Sequence, residues 1–179
     1  MKIIVTGATG LVGAEVLRQA IEDEDIKQVT ALARRPVSVH HAKIRTVIHE
    51  NFLDYSGLEG LFHAHDACIW CLGISVSQVS KQQYHVITYD YAVAAAKAML
   101  IANPDLDFIF LSGEGADPRE KSRLLFERVK GKTENALATM PFRRFYIARP
   151  GAIRPINKNP NAPFLYKVFM PVYPVMEFL

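Results

Sequence analysis

Ile4-Val-Thr-Gly-Ala-Thr-Gly-Leu-Val-Gly13 sets end to end a short apolar strand, glycines at positions 7, 10 and 13, and the start of an amphipathic helix. Each glycine in that order has its own physical reason. The first lets the chain turn sharply out of the strand. The second removes the β-carbon where backbone must approach a pyrophosphate, and the third lets the helix pack closely on a sheet. The helix that follows would offer free N–H groups and the positive end of its dipole to an anion. Thr9, Leu11 and Val12 belong to the same turn and are assigned, with Gly7, Gly10 and Gly13, to binding a dinucleotide. The alternative, a tight turn without a ligand, does not account for three glycines so spaced after a first strand.

Working outward, apolar runs rich in β-branched residues recur at Ile3–Val5, Gln28–Ala33, Ile44–Ile48, Ala67–Leu72, Phe108–Leu111 and Phe145–Ala148. Most are separated by stretches of helical spacing, such as Val12, Val16 and Ala20, the alanine-rich Tyr91–Leu100, and Leu124–Leu137. This alternation predicts an α/β fold of Rossmann type, a doubly wound, mainly parallel sheet with helices on both faces. The dinucleotide domain is expected over residues 1–155. Residues 156–179 are expected to hold a Pro/Asn-rich loop and then an apolar segment, Phe164–Leu179, packed on the same domain, on a regulatory partner protein or on a second copy.

The second strand bears on which dinucleotide. An acid at its end would accept hydrogen bonds from a ribose 2′-hydroxyl, but Val29–Pro36 ends in Arg34 and Arg35 with no acid. Two planar cationic donors suit a 2′-phosphate, so NADP(H) is expected over NAD(H). A merely solvated strand end is the alternative.

With 179 residues, 50% of them hydrophobic, the chain can bury one substantial core. Its net charge of +3 is scattered, which does not suggest nucleic acid as a partner. The N-terminus opens on a strand without a secretory layout and no apolar run reaches membrane-spanning length, so a cytoplasmic protein with no membrane partner is expected. Cys68 and Cys71 have a spacing used in redox and zinc sites. A zinc ion needs about four ligands, no second cysteine pair exists and the histidines lack ligand spacing, so core packing is the expectation and no metal is assigned.

Several segments in order resemble the extended and atypical short-chain dehydrogenase/reductases, in particular their NmrA-like, Tat-interacting-protein-like and epimerase-like members. They are the T-G-x-x-G-x-x-G turn, Asn51-Phe-Leu-Asp54, Cys71-Leu-Gly73, Phe110–Asp117, Val129–Glu134 and Ala148–Gly151. The resemblance implies that Asn51 and Phe52 lie beside adenine and that Cys71, Leu72 and Gly73 run past the cofactor. It places Pro150 near nicotinamide, gives Lys130 to the nicotinamide ribose, and makes Ser112 the hydroxyl that orients a substrate carbonyl. The family's proton-transferring tyrosine should stand four residues before that lysine, and Phe126 stands there. Two functions follow as expectations: an NADP(H)-dependent oxidoreductase acting on a small carbonyl or alcohol, or a non-catalytic NADP(H) sensor acting through a partner protein. A sugar-nucleotide epimerase is a third, with little chain after residue 155 to hold the sugar. Tyr84, His85, Tyr89 and Tyr91 are the candidates to replace the tyrosine. Without a ligand, Lys130 would be a solvated lysine paired with Glu134 one turn on.

Overall fold

A computed structural model describes residues 1–151 and 153. The expectations for the segment after residue 155 therefore lie outside the described residues. The strands are β1 (Lys2–Thr6), β2 (Gln28–Ala33), β3 (Ile44–Ile48), β4 (Ala67–Trp70), β5 (Asp107–Leu111) and β6 (Phe145–Ala148). The helices are α1 (Leu11–Glu22), α2 (Glu59–His63), α3 (Lys81–His85), α4 (Tyr91–Ala102) and α5 (Leu125–Ala138), with a π turn at Val86–Asp90 joining α3 to α4. All strands pair in parallel in the order β3-β2-β1-β4-β5-β6. This is the doubly wound Rossmann arrangement.

Parallel strands buried on both faces read as continuous apolar runs rather than alternating ones, and β1 and β2 are buried from Ile3 to Thr6 and from Val29 to Ala33. On one face Ile3, Val5, Val29 and Ala31 pack under Leu17 and Ala20 of α1. The buried stripe of that helix is Gly13, Leu17 and Ala20, one residue round from the predicted Val12 and Val16, because Gly13 lies against the glycine turn. On the other face Ile4, Leu32, Trp70, Phe108 and Phe110 pack under Phe62 of α2, the alanines and Met99 of α4, and Leu137 of α5. Each large ring sealed there is worth roughly 1.5–3 kcal/mol relative to exposure. Cys68 belongs to this core, where burial pushes its thiol well above the usual range.

Coverage is uneven. In register, Val5, Ile69, Ile109 and Tyr146 form one row across four strands. Val5 is fully buried, Ile69 and Ile109 are half-buried, and Tyr146 is 51% exposed. At the amino edge of the sheet, buried His65 bridges Thr30 Oγ1 at 2.8 Å and the Leu61 carbonyl at 2.7 Å. No helix among the described residues is long and apolar enough to cross a membrane.

Candidate cofactor site

The strand order reverses between β1 and β4, so the connections leaving their carboxyl ends diverge and open a crevice. A cleft of about 440 Å³ lies there, bounded by Gly7–Gly10, by Leu32–Arg35 after β2, and by Cys71–Gly73 after β4. The glycine turn is shaped by contact. Gly7 has φ +62°, and a β-carbon on it would sit 2.5 Å from the Cys71 carbonyl oxygen. A β-carbon on Gly13 would overlap the Gly7 carbonyl oxygen. Gly10, whose N–H donates to Gly7 O at 2.8 Å, closes the turn and begins the helix. Beneath the cleft, buried Thr6 accepts the Leu72 N–H on Oγ1 at 3.2 Å, tying the two diverging connections together.

Arg34 and Arg35 are exposed on the rim, and neither enters an ion pair with the described residues. Cys71 faces Lys130 across the end of β4, and burial pushes its thiol up to about 11. Leu11, Val12, Gly13, Asn51, Phe52, Ser112, Lys130 and Pro150 do not line the cleft. The Phe52 side chain is fully buried and packs against Tyr55, Trp70 and Tyr91. The hydrophobic residue after β3 serves the core, and exposed Asn51 closes its own turn by accepting the Leu53 N–H.

Further along the carboxyl edge, Ser112 follows β5 and donates its backbone N–H to Ala148 O at 2.8 Å. Its Oγ is buried without a hydrogen-bond partner among the described residues, at a residue 6% exposed. Buried hydroxyls are nearly always paired; Tyr55 Oη in the core is also without a partner among the described residues, but Ser112 is the one at the carboxyl edge of the sheet. Lys130 projects from α5, donates to Leu111 O at 2.7 Å and lies 4.9 Å from the centre of the Phe110 ring. Burial lowers its pKa to about 8, against the opposing pull of Glu134 and Cys71. Lys130 is thus not a solvated helix lysine, and Glu134 is held by Arg149 instead, at 2.9 and 2.5 Å. Phe126 occupies the second residue of α5.

None of the side chains considered as replacements for the missing tyrosine bonds to Ser112 or Lys130. Tyr84 is buried and engaged with Thr88. His85 meets Asp90 and Lys132, each at 3.3 Å. Lys132 also covers Tyr89, and Tyr91 packs on Phe52. Sequence reasoning missed Ala8, Leu32 and Ala33 in the cleft wall, and it missed Glu114, whose carboxylate lies 2.7 Å from where a Gly151 β-carbon would stand. The wall residues adjoin Gly7 and Arg34 in sequence, which could have drawn them in. Glu114 and Arg149 carried no spacing signal.

A family model described as NAD(P)H-binding matches residues 7–153. Protein FMP52, mitochondrial, from Debaryomyces hansenii is 33% identical over 86% of this chain and 67% of its own. Protein HTATIP2 from Rattus norvegicus is 25% identical over 84% of this chain and 62% of its own. The chain spans 67% of the length of the first of these curated relatives and 62% of the second. In fold it is similar to UDP-glucuronic acid 4-epimerase from Bacillus cereus, solved with NAD, with a TM-score of 0.68 at 20% identity, covering 90% of this chain and 60% of that one. The crevice at the strand reversal and the match over nearly all the described residues agree: the chain belongs to the NAD(P)H-binding family.

Proposed function

We propose that this chain binds NADP(H) in preference to NAD(H) in the β1/β4 cleft and acts as an oxidoreductase on a small carbonyl or alcohol. The observation that carries this reading is the pair of exposed arginines, Arg34 and Arg35, on the rim of a cleft that the glycine turn opens. Their planar forks match a phosphate, whereas a ribose hydroxyl would call for an acid. The residues fit a dinucleotide in two further ways. The turn leaves backbone bare of β-carbons at Gly7 and Gly10, and the Ser112 hydroxyl is buried with no partner among the described residues.

The cofactor, when bound, gives or takes the hydride. The chain binds and orients. Lys130 spends one ammonium hydrogen on Leu111 O, and its other two, without a partner among the described residues, would be given to ribose hydroxyls. Ser112 would donate its hydroxyl hydrogen to a carbonyl oxygen. Phe126 has no exchangeable proton, and this favours a second reading, a sensor that binds NADP(H) without turnover.

One experiment addresses both. NADPH and NADH are titrated into the unaltered protein and into Arg34→Ala/Arg35→Ala. Loss of charge-assisted bonds worth about 1.5–3 kcal/mol should weaken NADPH roughly 10- to 100-fold and leave NADH nearly unchanged. Equal affinity of the unaltered protein for both would overturn the preference. NADPH oxidation over aldehydes, ketones and quinones is then followed for the unaltered protein and Phe126→Tyr. Turnover by the former supports the oxidoreductase; turnover by the tyrosine variant alone supports the sensor.

A further inference from the structure

Ser112 and Lys130 stand on different elements, and their relative placement depends on a circuit that closes through residues outside the cleft. Lys130 Nζ donates to Leu111 O at 2.7 Å; the next residue, Ser112, donates its N–H to Ala148 O at 2.8 Å. Arg149 follows Ala148 and sends Nε and Nη2 to the two carboxylate oxygens of Glu134 at 2.9 and 2.5 Å. Glu134 lies one helical turn beyond Lys130 on α5, which completes the loop. The ends of β5 and β6 and the helix bearing the lysine are thereby locked together.

Glu134 is 2% exposed. A carboxylate so buried must be paired, and Lys130, one turn away, would be its ordinary partner. Arg149 takes both oxygens in a fork that a lysine cannot match. The Lys130 ammonium consequently turns to a carbonyl and keeps two hydrogens without a partner among the described residues. We infer that Glu134 and Arg149 are a positioning pair for Lys130, with Arg149 occupying the carboxylate so that the ammonium stays free to hold a hydroxyl-bearing ligand. This rests on the reading that Lys130 faces the cofactor ribose.

The charged and titratable groups around Lys130 are Glu134 on its own helix, Cys71 at the end of β4 and Arg149 at the end of β6. Removing the arginine leaves Glu134 unmatched and should draw the ammonium toward it. Removing the carboxylate should do the reverse.

The test follows the pH dependence of trinitrobenzenesulfonate labelling of Lys130, read by peptide mass spectrometry without cofactor, alongside NADPH affinity. In Arg149→Met the labelling midpoint should rise by about one unit or more, the size of effect a nearby opposite charge produces, and NADPH should bind roughly 10-fold more weakly. In Glu134→Gln the midpoint should fall. Arg149→Lys should lie between the unaltered protein and Arg149→Met. A midpoint unmoved in both Arg149→Met and Glu134→Gln, whatever their melting temperatures, would make the pair a structural tie and overturn the inference. Should Arg149→Met not fold, the direction of shift in Glu134→Gln decides alone. Labelling needs no cofactor, so failure of the unaltered protein to bind NADPH would strike the proposed function while the labelling midpoints still decide the role of the pair.

Discussion

At the scale of single residues, Ser112 combines burial with an unspent hydroxyl. A buried polar group without a partner is a stability liability, and an alanine in its place removes the liability along with the oxygen. Ser112→Ala should therefore be neutral or stabilising by up to about 1 kcal/mol in urea denaturation without ligand, while any NADPH-dependent turnover falls. A loss of stability instead would mean that the hydroxyl has a structural bond. The sequence marked Ser112, Lys130 and the glycine turn because motif spacing is a local property. It could not mark what surrounds them. Glu134 read as the natural partner of Lys130 at i+4, yet Arg149, distant in sequence, reaches it first because β6 ends beside α5. The direction of the Phe52 side chain was hidden for a related reason: a residue after a strand can turn to the cleft or to the core, and only the packed aromatic neighbours decide.

At the scale of elements, strand positions were legible because parallel strands are continuous apolar runs with turn residues between them. β4 stops at Trp70 rather than Leu72 because the Cys71 backbone meets Gly7 as the two connections part. The start of α3 was not legible because Lys81–His85 is short and polar, although Ser80 and Gln83 form a capping box whose spacing could have announced it. α5 has its own close approach. A β-carbon on Gly131 would overlap the Asp117 carbonyl oxygen, where the loop before the helix crosses it. Gly131→Ala should thus push α5 off that loop, with a loss of about 1–3 kcal/mol measured by urea denaturation. NADPH affinity should drop as well, since Lys130 is the preceding residue. A variant of unchanged stability would mean that the loop yields freely.

At the scale of the whole molecule, the parallel sheet could be anticipated, whereas the order of its strands emerges only from pairing. One consequence of the assembled fold is a dependence on acid. His65 spans β2 and the end of α2, and burial lowers its pKa below 6.5. The folded state then binds fewer protons there than the unfolded chain. The stability this site contributes is complete above about pH 6.5 and is lost as pH falls toward the lowered folded value. Urea denaturation between pH 7 and pH 5 should show that decline, and His65→Gln should flatten it. The same slope in both proteins would place the acid sensitivity elsewhere.

The uneven cover of the sheet bears on the order in which the molecule comes apart. β1 and β4 are sealed within it, but β3 and β6 are the two edge strands of the described sheet, neither has a fully buried residue, and β6 is mostly exposed. Amide hydrogens along these two edges of the described sheet therefore meet solvent in partial openings before those of β1. When β6 lifts away, the Ala148 carbonyl and the Arg149 fork leave with it, while the glycine turn and its crevice stay whole. The fold thus divides its risks. The end that grips phosphate is as durable as the core, and the end that would place a reacting group is only as durable as one frayed margin.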